Sequence, residues 1–310
     1  MTGHQLIRRP ASARAVAVSS AFGTFGELLQ GALPDDGPDF LVTLPIARWA
    51  TATFEYENTR DGVEVFPARK TKARRVAEAV LARYRGGGGT LRLGGTLPEG
   101  RGMASSSADL VATARAVASA IGVDLAPQRV EDLLRGIEPT DGVMYPGVVA
   151  FEHRNVVLLE QLGGVPPMTI VGIDEGGTVD TVAFNRIPKN FTASERLEYA
   201  RLLDELRGAV AAGDVAAIGR VSTRSAHLNQ RLCPKRTLSA MTALSAEIGG
   251  AGVVTAHSGT AIGVLIPDDV PRFRSRLAEA ITRCGQLVPR DRVLCCQTLG
   301  FARTGERATP

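Results

Sequence analysis

A two-domain α+β protein is predicted by three features of this 310-residue chain. Strand-like alternation and helical periodicity both recur along it, with no internal repeat of fixed period. The length supports a large core and two domains, and the strongest linker signal, Gly163-Gly164-Val165-Pro166-Pro167, divides the chain into 1–165 and 166–310. The third feature is a Gly/Ser stretch, Pro98-Glu99-Gly100-Arg101-Gly102-Met103-Ala104-Ser105-Ser106-Ser107-Ala108, that runs straight into a helical pattern. Apolar residues make up 44% and charged residues 22%, as in a globular protein.

Taken in order, residues 1–14 are polar and read as a frayed end. Residues 15–21 alternate as a strand does. Residues 22–31 carry Gly23, Gly26 and Gly31 and read as a loop. Residues 40–54 suit one or two strands with Pro45 at a bend or edge, and 62–66 a short strand. Residues 70–85 are helical: Val76, Ala77, Val80, Leu81 and Tyr84 form an apolar stripe, and the basic face above it reads as solvated surface. A glycine run, 86–89, stops this helix, and the strand 90–97 delivers the chain to the Gly/Ser stretch.

Behind that stretch Leu110, Val111, Ala114, Val117, Ala118 and Ile121 share one helix face. Small residues let the backbone bend tightly and approach a ligand. The helix start offers unpaired N–H groups and the positive end of its dipole, an anion site whose usual guest is phosphate. One serine can cap the helix, and another can ligate Mg²⁺ or donate to a phosphate oxygen. A second helix, 128–136, is closed by Pro139, and Asp141-Gly142 is a turn signal. Residues 148–159 read as strand–turn–strand with His153 facing solvent at the turn.

The second half begins with a strand, 168–173, and an acidic turn, 174–181. Helices are expected over 195–212, 215–228 and 236–248; His227 on the second reads as a structural histidine. Residues 249–261 and the strand after them read as two strands with a small-residue turn able to approach a ligand closely. An apolar strand (262–266), an amphipathic helix (270–284) and a closing strand (293–301) follow.

Composition excludes several classes. The net charge of +4 and the lack of a Lys/Arg block with interleaved aromatics argue against nucleic-acid binding. Cys233, Cys284, Cys295 and Cys296 have no zinc-site spacing and read as reduced thiols. The N-terminal segment has Arg8, Arg9 and Arg14 but no apolar core, and no run of 18 apolar residues exists, so a cytoplasmic protein with no membrane segment is expected. There is no Walker loop and no protein-kinase signature.

The Gly/Ser stretch resembles the second motif of the GHMP kinases, Pro-x-x-x-Gly-Leu-Gly-Ser-Ser-Ala, with Met103 for Leu, Ala104 for Gly and Ser107 for Ala. Gly102 to Asp109 is similar to the L-threonine kinase branch of that family, which is associated with cobalamin synthesis. Gly26-Glu27-Leu28-Leu29-Gln30-Gly31 resembles the first motif, although Phe22 stands where the branch has Pro and the motif's basic residue is missing. Ala256-His257-Ser258-Gly259-Thr260 resembles the third. The three lie in the family's order across roughly residues 20–265.

The resemblance implies the GHMP kinase fold, a ribosomal-protein-S5-domain-2-like domain followed by a ferredoxin-like domain. It implies ATP and Mg²⁺, with the Gly100, Arg101, Gly102, Met103, Ala104, Ser105, Ser106 and Ser107 segment holding the phosphates. Ser106 and Glu138 would ligate Mg²⁺, with Glu131 as the rival carboxylate. Asp141 would orient the acceptor hydroxyl, its role as a true base being open. Glu27, Gln30, Thr140, Asp141 and Gly259 would face the substrate, Glu27 pairing with an ammonium group. The implied reaction is phosphorylation of L-threonine to O-phospho-L-threonine. Another small alcohol or hydroxylated amino acid is the nearest alternative, and a non-catalytic ligand sensor a more distant one. The implied partners are ATP and a small molecule, and a homodimer is compatible.

Overall fold

The computed structural model describes residues 13–35, 37–177 and 189–301. Residues 1–12 of the expected frayed end and 178–181 of the acidic turn lie outside the described residues.

Two long strands, β1 (Arg14–Ala32) and β2 (Asp39–Glu57), run antiparallel along most of their length. Residues 22–31 therefore continue the strand and are not a loop. Phe25, Leu28 and Leu29 are fully buried, which keeps this stretch in the sheet. The glycines serve register slips between Phe22 and Gly23, Thr24 and Glu27, and Glu27 and Leu29. Gly26, at φ +57°, has no room for a side chain: a Cβ there would lie 2.4 Å from the Thr255 carbonyl oxygen.

Then follow β3 (Val63–Phe66), α1 (Thr71–Tyr84), β4 (Gly88–Gly95), α2 (Ser105–Ala120), α3 (Pro127–Leu134), β5 (Val148–Glu152), β6 (Val157–Gly163) and β7 (Met168–Asp174). The later elements are α4 (Ala193–Ala212), α5 (Val215–Asn229), α6 (Leu238–Glu247), β8 (Gly252–Thr255), β9 (Ala261–Pro267), α7 (Phe273–Leu287) and β10 (Val293–Gln297). A Thr192/Glu195 capping box starts α4, and left-handed Gly213 ends it.

The strands form a sheet in the order β10-β7-β9-β8-β1-β2-β4-β3, with β5 and β6 attached to β2. Pairing is antiparallel except between β3 and β4. This mixture of helices with a mainly antiparallel sheet is the expected α+β class. Helix α2 lies across β1 and β2 and is buried on nearly every side, its Ala, Ser and Thr residues permitting close approach. Helices α4 and α5 pack over the far end of β1, and α6 and α7 against β7–β9. One residue pair, Glu27 with Thr255, joins β1 to β8. The sheet's two parts are thus stitched together at a residue singled out by sequence, and again by the bridge between Ile46 and Thr298. No helix of the described residues is long and apolar enough to cross a membrane.

Candidate active site

A cavity of about 370 Å³ opens at the N-terminal end of α2, next to the Glu27–Thr255 stitch. The Gly/Ser stretch walls one side. Gly100, Gly102 and Ala104 all have positive φ, at 73°, 76° and 54°, so the chain winds left-handedly into the helix. A Cβ on Gly102 would lie 2.4 Å from Ala256 Cβ, so this residue must be small where the loop rests on the 256–260 turn. Thr24 N–H donates to the Met103 carbonyl at 3.2 Å, tying the loop to β1.

No serine caps α2. The N-cap is Ala104, with no side-chain hydrogen bond, and the serines occupy the first turn. The first intrahelical bond, Ala108 N–H to Ala104 O, begins beyond them. The main-chain N–H groups of Ser105, Ser106 and Ser107 precede it and so have no acceptor within the helix, the arrangement that suits an anion. Two of the hydroxyls are spent on carboxylates instead: Ser106 Oγ donates to Glu138 Oε1 at 2.5 Å, and Ser107 Oγ to Asp141 Oδ2 at 3.2 Å.

These contacts place Glu138 and Asp141 side by side over the helix start. The other Glu138 oxygen takes the Lys72 ammonium. Burial pushes the Asp141 carboxyl up to about 6; the neighbouring Glu138 charge adds to this and the Ser107 hydrogen bond opposes it. Thr140, between them, is buried and donates its main-chain N–H to the His153 carbonyl at 3.0 Å. Glu131 lies elsewhere: it accepts from Leu158 N–H at 2.8 Å and braces β6.

Glu27 also lines the cavity; it is 6% exposed, and its Oε2 has no hydrogen-bond partner. Burial holds its carboxyl well above the usual range, and the Asp141 charge adds to this. His257 lies beside it, held between Lys189 and Gln30: Nε2 is 2.9 Å from Lys189 Nζ, and Nδ1 is 2.8 Å from Gln30 Oε1. Burial and the Lys189 charge drive its pKa well down, so the ring is neutral. Nε2 then accepts from the ammonium, and Nδ1–H donates to Gln30. His153, expected in solvent, is 2% exposed and packs edge-on against His257 with ring centroids 5.0 Å apart. The β5–β6 turn folds inward because Thr140 hydrogen-bonds to its backbone.

Of the residues singled out by sequence, Glu27, Gly100, Gly102 to Ser107, Glu138, Thr140 and Asp141 line the cavity. Gln30 stands behind His257 and is absent from the lining. Gly259 packs its backbone on Gly102 from outside, and Arg101 points to Asp174. Sequence reasoning missed Lys70 and Lys72. They were assigned to the solvated basic face, yet both line the cavity, Lys70 pairing with Asp109 at 2.5 Å and Glu99 at 2.8 Å. Their position just before the first apolar residue of α1, at the helix end nearest the phosphate loop, was the available signal. A second cavity of about 190 Å³ adjoins the first at Lys70, Glu99 and Ser105, and Trp49, Pro67, Leu93 and Leu97 give it apolar walls. His227 is exposed on α5, away from both.

Residues 71–147 match the GHMP kinases N terminal domain. The chain is 28% identical over 278 residues to an L-threonine kinase of Salmonella typhimurium, covering 85% of this chain and 88% of the relative. It is 29% identical over 172 residues to an L-threonine kinase of Citrobacter freundii, covering 55% of this chain and 60% of the relative. Among solved structures, homoserine kinase from Cytophaga hutchinsonii superposes with a TM-score of 0.71 at 12% identity, over 97% of this chain and 99% of that one. Mevalonate kinase of L. major superposes at 0.64 and 14% identity, over 96% and 98%. These likenesses show a shared fold.

Proposed function

We infer that this chain, a kinase of the GHMP family, transfers the terminal phosphoryl group of ATP to the side-chain hydroxyl of a free amino acid, L-threonine before others. A single observation carries this reading. Ser107, in the first turn of α2, donates to the Asp141 carboxylate at 3.2 Å and accepts from the Asp141 main-chain N–H at 3.1 Å. The carboxylate that would meet the acceptor hydroxyl is therefore fastened to the turn that would meet the phosphates.

Phosphoryl transfer is governed by alignment and charge neutralisation. The N–H groups of the first α2 turn and the helix dipole hold phosphate oxygens, and the Lys70 and Lys72 ammonium groups add positive charge to the same wall. The adjoining cavity, polar at Lys70, Glu99 and Asp109 and walled by Trp49, Pro67, Leu93 and Leu97 elsewhere, suits a nucleobase. Asp141 accepts a hydrogen bond from the acceptor hydroxyl. As the new O–P bond forms and the bond to the ADP oxygen breaks, the hydroxyl proton passes to Asp141.

A divalent cation fits the oxygen donors present. Mg²⁺ is usually held by one or two carboxylates and completed by phosphate oxygens and water, and Ser106 Oγ and Glu138 Oε1 stand together at the loop. Bound there, Mg²⁺ would neutralise charge on the phosphates. Among the described residues there is no group of three or more His, Cys, Asp or Glu that could hold a metal ion without a nucleotide.

Two facts support an amino acid as acceptor. The relatives similar over most of this chain or over half of it are L-threonine kinases. Glu27 also presents a buried carboxylate oxygen without a partner, and an ammonium group would satisfy it. Incubation with ATP, Mg²⁺ and a panel of threonine, serine, homoserine and simple alcohols tests the reading, with products followed by phosphorus NMR. O-phospho-L-threonine is the expected main product. Turnover restricted to alcohols without an amino group would contradict it, as would ATP binding without transfer to any acceptor.

A further inference from the structure

Arg101 sits in the middle of the phosphate loop but does not line the cavity. Its Nε lies 3.2 Å from Asp174 Oδ2, at the end of β7. Asp174 is 7% exposed. Its Oδ1 accepts from the Thr260 hydroxyl and from the Gly176 main-chain N–H at 3.0 Å. Thr260 closes the 256–260 turn, and that turn touches the phosphate loop directly: a Cβ on Gly259 would lie 2.5 Å from Gly102 Cα. One buried carboxylate thus grips two loops that are more than 150 residues apart in sequence and pressed together at their glycines.

We propose that Asp174 is a positioning residue for the nucleotide: it clamps Arg101 and Thr260 together, fixing the bend of the phosphate loop before ATP arrives, so that Arg101 anchors the loop and is not a phosphate ligand. The loop needs such a fixture. Gly100, Gly102 and Ala104 are all left-handed, a winding that a short loop does not hold unaided. Its main-chain tie to β1, Thr24 to Met103, lies beyond Arg101 on the helix side. An unclamped loop would have to be ordered by the nucleotide, and that entropy would be subtracted from binding. The guanidinium is also expensive to withdraw, since a carboxylate this buried would lose its compensating charge.

The inference rests on the loop holding a nucleotide, as proposed above, and the experiment separates the two. A non-hydrolysable ATP analogue is titrated by calorimetry into the wild type, Asp174→Asn, Arg101→Met and the double variant, alongside steady-state kinetics and thermal melting. Asparagine keeps an acceptor oxygen for Thr260 and Gly176 while removing the charge. Each single variant is expected to weaken analogue binding about tenfold, the scale of a part-buried charge-assisted hydrogen bond. The double variant should be no weaker than either single one, and the acceptor KM should stay within about twofold of wild type, as distant sites are independent. Loss of affinity in Arg101→Met with none in Asp174→Asn would make Arg101 a phosphate ligand and overturn the proposal. Additive losses, or equal falls in kcat and rises in both KM values, would overturn it too. If Asp174→Asn does not fold, Thr260→Val decides: Thr260 does not line the cavity, so the clamp requires this variant to bind the analogue more weakly than wild type and non-additively with Arg101→Met, and wild-type affinity would contradict it. A wild type that fails to bind the analogue removes the kinase reading itself, whereas unchanged variants of a binding wild type remove only the clamp.

Discussion

Ala104 illustrates how one residue sets the local cost of the site. It holds φ +54° at the N-cap of α2, where the related motif has glycine. An L-residue in the left-handed region costs about 1–2 kcal/mol, and glycine's extra unfolded-state entropy returns about 0.5–1 of that. Ala104→Gly should therefore stabilise the protein by roughly 0.5 kcal/mol, seen as a small rise in denaturation midpoint; a fall would mean that the methyl group packs usefully in the wall. Asp141 gives a sharper expectation. Asp141→Asn should cut kcat about a hundredfold or more while ATP affinity stays near wild type, and unchanged turnover would remove Asp141 from the chemistry. Only the ionised carboxylate can accept the proton, and burial places its titration at about 6. The acceptor kcat/KM should therefore climb as pH rises through that value and then level off; a flat profile between pH 5 and 7 would contradict the assignment. Glu27→Gln should raise the KM for threonine about tenfold or more, the scale of a buried charged hydrogen bond, and should barely affect ATP.

At the scale of elements, consecutive first-turn serines of α2 reach different carboxylates, which on the proposed reading would join anion binding to acceptor activation. Ser106→Ala should raise the Mg²⁺ concentration needed for half-maximal rate; an unaltered Mg²⁺ dependence would exclude Ser106 as a ligand. The helix itself was legible, since its apolar residues recur at helical spacing behind a glycine turn. The missing serine cap was not: capping depends on the dihedral angles of residue 104, and composition permits several windings there. The bulged half of β1 misled for a related reason. Three glycines in ten residues signal a break in local terms, yet long-range burial of Phe25, Leu28 and Leu29 keeps the segment in the sheet. Lys70 and Lys72 were taken for surface because helix periodicity says which residues face the core but not what approaches a helix end.

At the scale of the molecule, the site lies where the sheet's two parts meet at Glu27 and Thr255, and groups far apart in sequence converge there. Motifs named Glu27, the Gly100–Ser107 segment, Glu138 and Asp141, because each carries its chemistry in a local pattern. Gln30, Arg101 and His257 lie in those motifs too, but the inward turn of His153, the Lys189–His257–Gln30 chain and the Arg101–Asp174 pair had no local signal, since they arise only when separate loops are packed together. The central claim is that the first turn of α2 grips the phosphates of ATP while Asp141, fastened to that same turn, faces the acceptor hydroxyl. A crystal structure with a non-hydrolysable ATP analogue and L-threonine tests this most directly. The account predicts phosphate oxygens on the main-chain N–H groups of Ser105 to Ser107 and the threonine hydroxyl within hydrogen-bond reach of Asp141, with its ammonium on Glu27. A triphosphate bound away from this helix start, or a threonine hydroxyl pointing away from Asp141, would contradict it.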